Sequence, residues 1–419
     1  MLVAKIYIYT KMKLRKEVFF MGNSLPFSTN IDILNKPLIV GEQVIPNRFA
    51  IQPMEGADST YDGAPDELTF RRYRRFAKGG AGLIWIESVA VTEEGKSNPR
   101  HLYINENNLD SFKRLAYEIK ETAMRTHGTN PVIILQATHA GRHSMPYGNK
   151  KLPVITHNNP LLEKDHPLPP ECIVSDDELK VLEEKFIQTA ILAHKAGFDG
   201  VDIKACHGYL VNELLASHNR PGLYGGSFEN RIRFLCNVFK ASKDLTPKKF
   251  LVTSRLNIYD ACPYPYGFGS IPGQDIKPDL SDAKNLLDIL KPEMINITMG
   301  NPCPGDLDNV LRMCTHTKEI QSAFPKMAVV GSGVSYMKDQ SGELAAGYIE
   351  TGVCKIVGWG RMSFAYPDFA KDIMTNSFDK NKTCICCSGC GKLIKAKLPI
   401  GCVVRDDIYN KLLKESLSV

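Results

Sequence analysis

PVIILQATHAGRH, residues 131–143, is apolar for its first five residues and then turns polar at Gln136, His139, Arg142 and His143. An unbroken apolar run, rather than an alternating one, suits a parallel strand covered on both faces. Polar side chains gathered at its C-terminal end suit the ligand-binding mouth of an α/β barrel. The same signature recurs along the chain. FAIQP (49–53) leads to Glu55, GVDIKA (200–205) carries Lys204 and leads to His207, and FLVTSRL (250–256) carries Arg255. KMAVVG (326–331) runs into Gly331–Gly333, and KIVGWG (355–360) runs through Gly358 into Arg361; AGLIWIE (81–87) and EMINITM (293–299) complete eight runs. Helix candidates lie between them at 66–78, 107–126, 177–196, 228–243 and 280–290, with Asp66, Ser175 and Ser281 as N-caps. Eight strand–helix units in about 310 residues predict fold class α/β, a (β/α)8 TIM barrel. A doubly wound open sheet shares the alternation, but only a closed barrel brings those polar strand ends to one mouth.

Composition removes other classes. Among 419 residues, 52 basic against 46 acidic leave a net charge of +6 with no basic block, which argues against a nucleic-acid partner. No run of ~18 apolar residues is present, so no membrane span is expected. The N-terminal MLVAKIYIYTKMKLRKEVFF lacks a signal-peptide h-region; a myristoylation reading of MGNSLP would require Met21 to be the start. The expected organisation is a poorly ordered leader over 1–28, a barrel over 29–378 and a short cysteine-rich C-terminal extension over 379–419. Long connections at 137–175 and 256–279 read as lids. The twelve cysteines are not a disulfide framework, which points to a cytoplasmic, reducing setting. Glycine turns at 331–333 and 358–361 follow strands seven and eight. There, close backbone approach and Arg361 favour phosphate binding over two ordinary turns.

IQPM, QATHAGR, HGYL with YGGSFENRIRF, SRL, and VGWGR followed by YPD occur in order from about residue 30 to 375. Together they resemble the Old Yellow Enzyme family of NAD(P)H-dependent flavin oxidoreductases, most specifically over residues 208–234. The resemblance implies FMN at the barrel mouth, with Pro53, Met54, Glu55 and Gly56 lining the flavin. It also implies Gln136 on the pyrimidine edge, Arg255 near N1, and Ser332, Gly333, Gly360 and Arg361 on the phosphate. Hydride would pass from NADH or NADPH, through the flavin, to an activated alkene. Lys204 and His207 would stabilise charge on the conjugated carbonyl, and Tyr209 would protonate the α-carbon. Two positions depart from the family pattern. Lys204 stands where a histidine is usual, and Glu55 where Thr, Cys or Ala is usual. Their opposite charges predict an interaction, direct or through water. His139 reads as a wall of the flavin site, and Cys206 as a small buried filler.

Cys384, Cys387, Cys390 and Cys402 give C-x2-C-x2-C-x11-C, with Cys386 as an extra. Four thiolates so spaced suit a [4Fe-4S] cluster or Zn. The run is similar to that of 2,4-dienoyl-CoA reductases, which have one more residue before the third cysteine and a second flavin domain beyond. With about 17 residues after Cys402, such a cluster would need a redox partner chain or be structural. The expectation is an ene-reductase acting on an enone, a steroid-like molecule or an acyl thioester, with homo-oligomerisation left open. The alternatives are an FMN/metal electron-transfer subunit without alkene reductase activity, and a zinc-stabilised binding module without flavin.

Overall fold

The structure is a computed structural model that describes residues 24–417 except 149, 165, 274–276 and 301–305. Most of the expected leader lies outside these residues, but Leu25 is already buried in the core. The Pro26 carbonyl beside it lies where a Cβ on Gly347 would stand, so that position admits only glycine.

An antiparallel hairpin, β1 (Leu38–Val40) with β2 (Gln43–Ile45), opens the fold. The barrel follows: β3 (Phe49–Ile51), β4 (Leu83–Ala90), whose end pairs with the short β5 (Leu102–Tyr103), β6 (Val132–Thr138), β7 (Gly200–Ile203), β8 (Leu251–Thr253), β9 (Arg255–Asn257), β10 (Met294–Thr298), β11 (Ala328–Gly331) and β12 (Ile356–Trp359). The pairing runs β8-β7-β6-β4-β3-β12-β11-β10-β9, parallel throughout. β8 and β9 are halves of one strand broken at Ser254, so the path closes on itself into eight barrel positions. All eight apolar runs are barrel strands.

Helices sit where the periodicity places them, at Glu67–Lys78, Leu109–His127, Asp176–Lys195, Phe228–Leu245 and Ser281–Leu290. Asp66 and Ser175 form capping boxes with Thr69 and Glu178. Ser281 is not a cap. It is the first helical residue, and Asp279 accepts its N–H at 3.0 Å and its hydroxyl at 2.7 Å. Among the described residues, no helix is long and apolar enough to cross a membrane.

Inside the barrel, Ala50, Leu83, Trp85, Ile134, Leu251, Met294, Val330 and Ile356 form an apolar plug. A polar layer adjoins it. Gln52 and Asn296 exchange amide hydrogen bonds of 3.2 and 2.8 Å, and Gly358 leaves room for Gln52, whose Nε2 lies 2.1 Å from where a Cβ would stand. These buried amides are satisfied by each other, which removes most of their desolvation cost.

The C-terminal extension docks onto the barrel. The Ile400 N–H donates to the Gly56 carbonyl at 2.7 Å, and Lys397 Nζ to the Gly148 carbonyl at 2.6 Å. The Asp406 carboxylate, 4% exposed, takes Arg71 at 2.8 Å and also Arg75, and it caps the helix Asp407–Ser416. Asp406→Asn keeps the cap but discharges the pair. Because both guanidinium groups are about one-third exposed, the expected loss is only about 1 kcal/mol. Urea unfolding monitored through the tail should show it; a loss of several kcal/mol would mean the tail is a core element.

Candidate active site at the barrel mouth

Glu55, Lys204 and Tyr209 come together. Lys204 Nζ lies 3.3 Å from the centroid of the Tyr209 ring, and the Tyr209 hydroxyl points to Glu55 Oε2 at 3.5 Å. The other carboxylate oxygen accepts Ser97 Oγ at 2.5 Å and Asn98 Nδ2 at 2.8 Å. The Glu55–Lys204 coupling therefore runs around the Tyr209 ring, with no direct ion pair among the described residues. Burial pushes the Glu55 carboxyl up, but the charges of His101 and Lys204 and the Ser97 and Tyr209 hydrogen bonds outweigh it and hold the group below its ordinary value. Burial and then the Glu55 charge lift the Tyr209 phenol well above its usual range. Lys204 moves down through burial, opposed by Cys206 and Glu55. The result is a phenol held protonated between an anion and a cation.

Discharging Glu55 should relax that phenol. In Glu55→Gln, Tyr209 is expected to titrate lower than in the native protein. Phenolate absorbance, with Tyr209→Phe as the blank, reads this, and an unmoved titration would remove Glu55 as the cause.

His207 sits at φ 62°, its Nε2 3.5 Å from Thr298 Oγ1. Burial, then Arg255 and Lys204, depress its pKa strongly, so the ring is neutral and offers one N–H. His139 is buried; its Nδ1 accepts the Gly141 N–H at 3.0 Å. Arg142 is bound by Glu213 at 2.5 Å and Glu163 at 2.7 Å and pins the long loop after β6. Two elements of this site were not anticipated from the sequence. One is His101, whose Nδ1 accepts the Ser97 N–H at 2.9 Å and so sets the segment that binds Glu55. The other is Asp202, on which the side chain of Gln136 and the backbone of Arg255 meet.

Two adjoining hollows open at this mouth and share Gly300. A cleft of about 1150 Å³ is lined in part by His143, His207, Gly208, Asn212 and Tyr266. A smaller cavity of about 260 Å³ is lined in part by Thr298, Met299, Ser332, Gly333, Tyr336 and Arg361. Gly333 has φ 98°, a turn suited to glycine, and Gly360 packs against Met54 Sδ. Pro53 is buried after β3. Gly56 faces elsewhere: its N–H donates to Glu87 Oε2 at 2.5 Å, and a Cβ there would strike the Arg72 guanidinium. Glu87, Arg72 and Asp58 form a buried charge cluster on that side of Gly56. Around the hollows, buried polar atoms lack partners among the described residues: Arg255 Nε, Asn257 Oδ1, Tyr259 Oη and Ser335 Oγ. Orphaned donors and acceptors at a cavity are what a polar ligand such as FMN would satisfy.

The cysteine quartet is not assembled. Among the described residues, no group of three or more His, Cys, Asp or Glu side chains is placed to hold a metal ion. Cys384 instead engages Cys386, accepting its backbone N–H at 3.4 Å, while Cys387 is exposed and Cys390 and Cys402 are half-buried. Cys386, the extra residue of the motif, is pulled down to about 6 by the hydrogen bond from Cys384 and then by the charges of Arg361 and Lys338. The expected [4Fe-4S] or Zn site at Cys384, Cys387, Cys390 and Cys402 is therefore not supported: Cys402 lies near enough to feel the charges of Cys384 and Cys387, but no three of these thiols are placed as a ligand set.

Comparison with known proteins agrees with the geometry. The model of the NADH:flavin oxidoreductase / NADH oxidase family matches residues 33–380. An NADPH dehydrogenase of Clostridium acetobutylicum is 27% identical over 265 residues, 62% of this chain and 72% of that protein. A cinnamate reductase of Clostridium sporogenes is 27% identical over 398 residues, 89% of this chain and 57% of that one. Among solved structures, a complex of 2-naphthoyl-CoA reductase with 2-naphthoyl-CoA superposes with TM-score 0.76 at 20% identity, covering 91% of this chain and 58% of the other. An old yellow enzyme homologue from Zymomonas mobilis gives 0.65 at 23%, covering 82% and 93%. At these identities the two structures speak for the fold, and the chain spans little more than half of the cinnamate and naphthoyl-CoA reductases. Since the family model spans most of the sequence, the chain belongs to the NADH:flavin oxidoreductase / NADH oxidase family of oxidoreductases.

Proposed function

We propose that this chain is an FMN-dependent ene-reductase that uses NAD(P)H to reduce a C=C bond conjugated to a carbonyl. The observation that carries this reading is Tyr209, a half-buried phenol kept protonated against the Lys204 ammonium, two residues on from His207, which lines a large cleft. Bound FMN supplies the two-electron chemistry, taking hydride from the nicotinamide and giving it to the alkene. Gln136 and Arg255 would hold the pyrimidine edge of the flavin, with Pro53, Met54 and Glu55 on its near side. Ser332, Gly333, Gly360 and Arg361 would hold the phosphate.

Lys204 and His207 donate toward the carbonyl oxygen as it gains charge, the role of an oxyanion hole. The lysine brings a full charge where a neutral ring is usual in the family, which favours substrates whose carbonyl becomes strongly anionic. Tyr209 delivers its proton to the α-carbon. Glu55 receives the hydroxyl hydrogen bond and orients it. The cleft admits an enone, a steroid-like molecule or an acyl thioester, and the names of the cinnamate and naphthoyl-CoA relatives support the acyl side of that range. The electron-transfer alternative leaned on a metal quartet that the structure does not assemble.

Anaerobic mixing tests the reading. Purified protein reconstituted with FMN should be bleached by NADH or NADPH and recover its colour on adding an enone or enoyl thioester. Bleaching without recovery would leave a flavin reductase, and absence of bleaching would defeat the proposal.

A further inference from the structure

Asp202 belongs to no expected set, yet it gathers three hydrogen-bond donors under the mouth. It lies on β7 with its side chain fully buried, in register with Gln136 on β6 and Thr253 on β8. Three donors converge on it: Gln136 Nε2 at 2.6 Å and Trp85 Nε1 at 2.9 Å on Oδ2, and the Arg255 backbone N–H at 2.5 Å on Oδ1. An ionised carboxylate only accepts hydrogen bonds. It therefore compels the Gln136 amide to turn its NH2 inward. The carbonyl Oε1 is left as the end of that amide able to meet a ligand.

We propose that Asp202 is a positioning residue that fixes Gln136 as a hydrogen-bond acceptor toward the flavin, selecting the N3–H of the pyrimidine ring rather than its flanking carbonyls. The inference rests on FMN binding as proposed above and adds the polarity of the contact and the residue that sets it. Through the Arg255 backbone, the same carboxylate anchors the strand carrying the neighbouring cation. Burial raises the Asp202 pKa to about 6, while the hydrogen bonds from Gln136, Arg255 and Trp85 and the Arg255 charge pull it down, so the carboxylate is mainly ionised at neutral pH. A neutral amide there would both donate and accept. Gln136 could then flip, presenting NH2 to a flavin carbonyl.

The test reconstitutes the protein with FMN carrying 15N at N3 and follows exchange of the N3 proton by NMR. In the native protein that proton should exchange at least ~10-fold more slowly than in free FMN, the protection one retained hydrogen bond gives. Asp202→Asn should lose most of that protection while still binding FMN, and Asp202→Glu should restore part of it. Trp85→Phe removes a donor but leaves the carboxylate, and should exchange like the native protein. If the indole N–H left facing an amide prevents folding of Asp202→Asn, the double variant Trp85→Phe/Asp202→Asn removes that clash and carries the same expectation. Native-like protection in the Asn variants would overturn the role of Asp202. Native protein that does not bind FMN would overturn the flavin reading and this inference together.

Discussion

Tyr209→Phe should leave bleaching of the flavin by NAD(P)H within a few-fold of the native rate and slow its recovery with an enone by ~10² to 10⁴-fold. The asymmetry follows from where the hydroxyl sits. It donates to Glu55 at 3.5 Å, Lys204 Nζ covers the ring face at 3.3 Å, and its raised pKa keeps the proton on the phenol until the alkene half-reaction draws it off. Nicotinamide oxidation requires no such proton, whereas saturation of the alkene requires one at the α-carbon. Removing one oxygen atom creates little void, and the ring contacts with Lys204 and His143 persist. A loss confined to the alkene half-reaction can then be assigned to the proton. Equal slowing of both halves would mean that the ring shapes a shared pocket, and no slowing would pass the proton to Lys204 or to water.

Much of this arrangement was legible in the sequence, for a physical reason. Strands buried on both faces must be apolar throughout, so a side chain such as Gln136 or Arg255 that breaks the run at its end stands out against a uniform background. What could not be read was any pairing across sequence distance. Asp202 interrupts GVDIKA as plainly as Lys204 does, but its meaning lies in Trp85 and Gln136, on two other strands. The buried Arg72–Asp58–Glu87 cluster has no spacing that announces it. The cysteines failed in the opposite sense. Their spacing is suggestive, but it constrains only the loop lengths a ligand set could use and not the backbone path, which turns left-handed at Cys386 and Ser388. Glu55 and Lys204 were paired on charge alone; the structure puts the Tyr209 ring between them, a third party that charge counting does not reveal.

Arg361→Ala should weaken FMN binding by ~10² to 10³-fold and leave riboflavin binding within a few-fold, measured by quenching of flavin fluorescence. Arg361 lines the same small cavity as Ser332 and Gly333 and has no carboxylate partner among the described residues. A guanidinium beside glycine turns, with no carboxylate salt-bridged to it among the described residues, is arranged to take a phosphate. Riboflavin lacks only the phosphate, so the difference between the two ligands isolates the contact from any general loosening of the mouth. Arg361→Lys should fall between, since an ammonium keeps the charge but not the two-pronged geometry. The tail provides an independent check, because Arg361 is also among the charges that lower the Cys386 thiol. Alkylation of Cys386 near pH 7 should slow in Arg361→Ala, and FMN should slow it in the native protein by drawing the guanidinium charge to the phosphate. If FMN and riboflavin lost affinity equally, Arg361 would be supporting the ring or the fold, and the phosphate would have to lie elsewhere on the mouth.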